Sequence, residues 1–134
     1  MAVVVGQTFW QSYNLGAPAP GGGNTICLNG GIVWIVAPAS SEVTRNWYFR
    51  NDAVTTATNC TSATGWFVPN CCQLKNPGYE CRTYWDSYSS TYYWSSTEAT
   101  SYKCAWPVSF TDGTTIEPDK NNTFCVRAFR CVIY

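Results

Sequence analysis

The sequence of 134 residues contains no histidine and one methionine, and only 12% of its side chains are charged, about half the share in an average soluble domain. Without histidine it lacks the commonest general base and the commonest metal ligand. Eight basic and eight acidic residues give zero formal net charge, and they are scattered singly. There is no basic stripe to neutralise phosphates or anionic lipid, which argues against nucleic acid as a partner. Long apolar runs are missing too: the longest, residues 32–37, is far shorter than the roughly 20 residues a membrane-spanning helix needs. Residues 1–11 lack the charged start and full apolar stretch of a signal peptide. The expectation is a soluble protein that is neither inserted in a membrane nor exported by a signal peptide. The length fits one domain, large enough to bury a core, and not two.

Aromatics and cysteines are what the chain has in quantity. Seven Trp, nine Tyr and six Phe make 16% of the residues aromatic, so contact surface is better supplied than reactive chemistry. The eight cysteines, Cys27, Cys60, Cys71, Cys72, Cys81, Cys104, Cys125 and Cys131, exceed what most reduced cytosolic proteins carry and are all disulfide candidates. Two to four bridges are expected, with connectivity left open, and adjacent Cys71 and Cys72 should have different partners. A particle assembled in a cell and then released would reconcile oxidisable thiols with the absent signal peptide. No CxxC ligand pair is present, which argues against zinc.

Along the chain, residues 17–23 (Ala-Pro-Ala-Pro-Gly-Gly-Gly) form a turn or linker cluster. It separates residues 1–15, which read equally as an N-terminal arm that pairs with a neighbour in an assembly or as a first strand of the same domain, from a compact domain at residues 24–134. Residues 31–37 are a β-branched run that reads as a buried strand, stopped by Pro38. Ser40, Ser41 and Glu42 look like a helix start. Val43, Trp47, Arg50 and Val54 follow at helical spacing, which turns Trp47 to the core, and residues 55–64 read as loop. Asn70 can cap a second short helix over residues 71–74, ended by Asn76-Pro77-Gly78. Beyond Tyr84 the pattern is β: residues 92–97, 105–110 and 123–134, with a tight turn at Asp112-Gly113. The expected class is α+β, with two short helices and a small, mostly antiparallel sheet.

Several motifs resemble a known family. Gly65-Trp66-Phe67-Val68-Pro69 followed by Gln73-Leu74 resembles a "G-W-R-L-P-T-x-x-E-L" signature. Tyr93-Trp94-Ser95-Ser96-Thr97-Glu98 resembles its "Y-W-S-S-T-E" strand. Ala105-Trp106, Phe110, Asp112-Gly113, Lys120 and Val126-Arg127-Ala128-Phe129-Arg130 follow in the same order. Over residues 31–134 the chain thus resembles the Lcl C-terminal-domain-like family, related to the Fibrobacter paralogous domains and more remotely to sulfatase-modifying proteins. The resemblance implies a C-type-lectin-like fold with a long variable loop used for contacts. Its members occur in bacterial surface proteins and bacteriophage virion proteins, and the absent signal peptide favours the phage branch. Phe67 stands where the signature has Arg, and Cys71-Cys72 fills the helix start, so no ligand is transferred with the fold.

Candidate sites follow. Glu117-Pro118-Asp119 resembles the calcium-binding tripeptide of sugar-binding lectins but lacks its Trp-Asn-Asp strand partner. It reads as a solvated turn, and no metal or other cofactor is expected. Cys125 and Cys131 resemble the reactive pair of the oxygen-dependent enzymes in the wider fold, but cross-strand disulfides explain their spacing equally well. Arg127 and Arg130 should face opposite sides of the last strand and pair with carboxylates such as Glu98 or Asp112. Residues 79–94 carry Tyr79, Tyr84, Trp85, Tyr88, Tyr92, Tyr93 and Trp94 among Ser and Thr, the composition of recognition loops. Tyr93 and Trp94 are assigned to the core, leaving Tyr84, Trp85, Tyr88 and Tyr92 as binding candidates.

The expectation is a non-enzymatic structural protein of a phage virion, either a tail fibre or receptor-binding module or a capsid decoration protein. Its partners would be other virion proteins, further copies of itself, and a host surface receptor or glycan. The alternatives are a sulfatase-modifying-like enzyme and a bacterial surface adhesin.

Overall fold

In the computed structural model of the chain, residues 2–5 and 11–133 are described, with side chains from Tyr13 onward. The class is α+β. Three sheets are present among the described residues, where one small sheet was expected. β1 (Ala2–Val5) and β2 (Gln11–Asn14) form a two-stranded antiparallel ribbon. β3 (Asn24–Asn29) pairs with β4 (Ile32–Val36), and β4 pairs in turn with β9 (Phe129–Ile133), all antiparallel. The third sheet has the order β5 (Val43–Arg45), β8 (Phe124–Val126), β6 (Tyr92–Glu98), β7 (Ala105–Ser109), with β6 and β8 parallel. Among the described residues two α-helices accompany them, α1 (Asp52–Cys60) and α2 (Cys71–Gln73).

The expected arm at residues 1–15 covers this ribbon, of which residues 1 and 6–10 lie outside the described residues. Tyr13 is buried with Val33, Ile35 and Trp66. Residues 17–23 are held against the domain by a donor far along the chain: Arg130 Nη2 donates to the carbonyls of Pro20 at 2.6 Å and Gly22 at 2.8 Å. Gly23 sits at φ +87°, and a Cβ there would lie 2.4 Å from the Val36 carbonyl. Only glycine combines that backbone with that approach.

Two sequence expectations meet corrections here. The helix expected across residues 43–54 is not formed. Val43, Thr44 and Arg45 instead pair with β8, followed by a single 3-10 turn at Trp47–Phe49. Trp47 still reaches the core, donating its indole N–H to the Ser95 carbonyl at 2.9 Å. The helix begins only at Asp52 and runs to Cys60, through residues 55–60 that read as loop. Ala53 and Ala57, four apart, are fully buried and lock that face onto the core, while Thr56 donates to the Ser41 carbonyl at 2.6 Å. The segment at residues 123–134, expected as one strand, is two. It leaves the third sheet after Val126 and joins the second at Phe129. Cys125 and Cys131 consequently stand on different sheets.

α2 starts as expected. Asn70 accepts from the Gln73 amide at 2.8 Å, and the Gln73 side chain accepts from the Asn70 amide at 2.9 Å, a reciprocal cap. After it the chain continues as a wide turn, Leu74–Tyr79, rather than ending, and the Asn76–Pro77 peptide is cis.

The core is aromatic. Trp85, Tyr93, Phe110 and Phe129 form one cluster with Ile26, Val36, Leu74 and Val108. The Trp85 ring meets Tyr93 at 5.6 Å, Phe110 at 5.0 Å and Phe129 at 5.7 Å, each edge to face, the arrangement favoured by ring quadrupoles. A second cluster of Val43, Trp47, Val68, Trp94 and Val126 fills the other side of the third sheet.

Candidate functional site

The segment at residues 84–92 is fixed at its base by a network around Arg127. This residue lies where the chain passes between sheets, and its side chain is 1% exposed. It donates to the Ala37 carbonyl at 3.2 Å, to Glu42 Oε1 at 3.3 Å, to Asp86 Oδ1 at 3.4 Å and to the Ser87 carbonyl. Glu42 Oε1 also accepts from the Tyr93 hydroxyl at 2.5 Å, and that hydroxyl accepts from the Ser89 amide at 2.8 Å. Asp86 Oδ2 accepts from the Ala39 amide at 2.8 Å. Burial, and then the bond to Glu42, push the Tyr93 phenol well above the ordinary tyrosine range. The phenol therefore stays a donor at neutral pH. With its donors committed in this way, Arg127 holds loop to framework.

The carboxylates expected to pair with the arginines are elsewhere. Glu98 accepts from Lys120 Nζ at 2.6 Å, and Asp112 Oδ1 accepts from the Thr114 amide at 3.0 Å and hydroxyl at 2.7 Å. Arg127 takes Glu42 and Asp86 instead. Arg130 uses backbone carbonyls, and its guanidinium lies 5.2 Å from the Trp66 ring centroid.

The four binding candidates fall in three environments. Tyr84 and Tyr88 are exposed, at 36% and 38%. Tyr92 is half-buried, its ring 5.2 Å from that of Phe124. Trp85 is 6% exposed and donates its indole N–H to the Gly78 carbonyl at 3.2 Å. It is a core residue, and no face of it is available for contact. Its short spacing from Tyr84 and Tyr88 disguised this, because the turn Arg82–Tyr84 rotates successive side chains to different sides. Tyr88 rests on Trp85 at 6.3 Å and on Phe110 at 5.8 Å, so its exposed face is presented by a rigid support.

Two features lay outside the sequence reading. Among the described residues Tyr48 and Phe49 are the most exposed adjacent aromatic pair, at 57% and 58%; the contiguous Trp47-Tyr48-Phe49 was the available signal. The other is a cleft of about 380 Å³ lined by Cys71, Cys72, Lys75, Thr97, Glu98 and Trp106, among others. Burial raises the Cys71 thiol, with Lys75 opposing, so it is not an activated nucleophile. The hydrogen bond from Lys120 lowers Glu98, which keeps that carboxylate charged and unsuited to donating a proton at neutral pH.

All eight cysteines are thiols here: Cys60, Cys72 and Cys131 exposed, the other five half-buried. No group of three or more His, Cys, Asp or Glu able to hold a metal is found among the described residues. Asp119 of the lectin-like tripeptide accepts from the Asn121 amide at 2.8 Å, a turn contact. No described helix is long and apolar enough to cross a membrane. Compared with known proteins, the chain matches no family model and no curated sequence.

Proposed function

We propose that this chain is a non-enzymatic structural protein of a bacteriophage virion, serving as a tail fibre or receptor-binding module or as a capsid decoration protein. It acts by protein or glycan contacts through exposed aromatic rings. The observation that carries this reading is how the polar and aromatic groups divide. Arg127 and Arg130 are spent on holding backbone together and Lys120 on pairing with Glu98, whereas Tyr48, Phe49, Tyr84, Tyr88 and Tyr102 stand exposed. Rigid tyrosines give contact area at little entropic cost. The lowered Glu98 and Asp112 carboxyls and the raised Cys71, Cys81 and Cys131 thiols offer no group tuned for proton transfer or thiolate attack near neutral pH.

The order of motifs from Trp66 to Arg130 supports placing the chain with the Lcl C-terminal-domain-like proteins, and the low charge fits a surface partly covered by neighbouring subunits. Sedimentation of a lysate of producing cells through a caesium chloride gradient, followed by immunodetection of the chain, tests this. Banding at particle density is the expected result; recovery only in the unsedimented fraction overturns the reading.

A further inference from the structure

Two cysteines 54 positions apart in sequence meet beside the Trp85 cluster. β3 runs past the turn Arg82–Tyr84, where the Asn24 side chain donates to the Tyr84 carbonyl at 3.2 Å. Cys27 lies three residues after Asn24, and Cys81 three before Tyr84. Cys27 lies near enough to raise the ionisation of the Cys81 thiol, so the two approaches in opposite order mark an antiparallel crossing. Both side chains are half-buried and pack against the cluster of Leu74, Trp85 and Phe129.

We propose that Cys27 and Cys81 form a disulfide when the protein meets an oxidising medium, with a low-molecular-weight disulfide of the glutathione class as oxidant. One protein thiolate attacks a sulfur of oxidised glutathione and expels a glutathione thiolate. The second protein thiolate then attacks the protein sulfur of the mixed disulfide and expels the other. Two protein thiols are oxidised, one glutathione disulfide is reduced to two thiols, and the protein's two protons end on the released glutathione. The bond clamps β3 to the base of the segment that presents Tyr84 and Tyr88. This inference stands apart from any role in a virion.

Burial, reinforced by the neighbouring Cys27, pushes the Cys81 thiol up to about 11. It stays protonated at neutral pH, which slows the exchange and leaves the pair reduced until an oxidant is abundant.

The test is peptide mapping of the full chain after equilibration in a glutathione redox buffer and alkylation of the remaining thiols. Tryptic cleavage places Cys27 on residues 1–45 and Cys81 on residues 76–82, each without another cysteine. A linked 1–45/76–82 species, with loss of both alkyl adducts, is expected. The triple variant Cys60→Ser, Cys72→Ser, Cys131→Ser, which removes the exposed thiols that could reshuffle, should give the same link. Alkylated Cys27 and Cys81 after oxidation, or linkage of either to another cysteine, overturns the proposal.

Discussion

Arg127→Met probes the network that fixes the loop. Methionine fills comparable volume without donors, so the loss is electrostatic rather than a cavity. Two carboxylates, Glu42 and Asp86, and two carbonyls, those of Ala37 and Ser87, lose the guanidinium donor, the carboxylates keeping only the Tyr93 hydroxyl, the Ser89 hydroxyl and the Ala39 amide. Removing one member of a buried pair costs about 3–5 kcal/mol. Glu42 and Asp86 keep 19% and 33% exposure, which lets water recover part of that, so about 3 kcal/mol is expected. At about 2.1 cal/mol/K of unfolding entropy per residue, a chain of this size melts about 10 °C lower for that loss. Urea unfolding should show a reduced midpoint with an unchanged slope. Hydrogen exchange should show lost protection at the Ser89 amide, which the Tyr93 hydroxyl accepts. A loss below about 1 kcal/mol with Ser89 still protected would refute the assignment of Arg127 as the anchor.

Three further outcomes follow from the geometry. Gly23→Ala must either move the β4 backbone or strain φ, so a melting point several degrees lower is expected by calorimetry; an unchanged value contradicts the close approach to the Val36 carbonyl. Tyr88→Ala should leave stability nearly intact, whereas Trp85→Ala should cost about 3–5 kcal/mol; equal effects in urea titrations would deny that one ring is surface and the other core. In reducing buffer, stability should fall as pH rises. Cys81 ionises at 9.0 in its ordinary state but about 11 in the fold, and Tyr93 is raised too. The folded state thus holds protons that the unfolded chain gives up, and the stabilisation present below pH about 9 is lost as pH climbs through about 11. Flat urea midpoints across that window in wild type would contradict the burial of these groups.

Local chemistry was the legible part of the sequence. The β-branched run at Ile32–Val36 can hardly be other than a buried strand, and Asn70 with Gln73 carries its own cap. The failures came where distant segments decide. Val43, Trp47 and Arg50 sit at helical spacing, but Val43 is buried by pairing with Val126 and Trp47 by its bond to Ser95; the spacing recorded burial, not helix. Three of the nine residues of α1 are Thr, a poor helix former, and the helix exists because Ala53 and Ala57 dock on the core. The aromatic segment was visible as composition, yet which rings face outward depended on the turn at Arg82–Tyr84. The partner of Arg127 was hidden because Glu42 lies 85 residues away and only the topology brings them together.

The account rests on Tyr84 and Tyr88 as working contact surface. Particles carrying Tyr84→Ser/Tyr88→Ser, with normal urea stability of the purified chain as control, test it directly by gradient incorporation and host-cell adsorption. Lost incorporation assigns the surface to assembly, and normal incorporation with lost adsorption assigns it to recognition; either is the predicted result. Incorporation and adsorption both at the wild-type level would contradict the account.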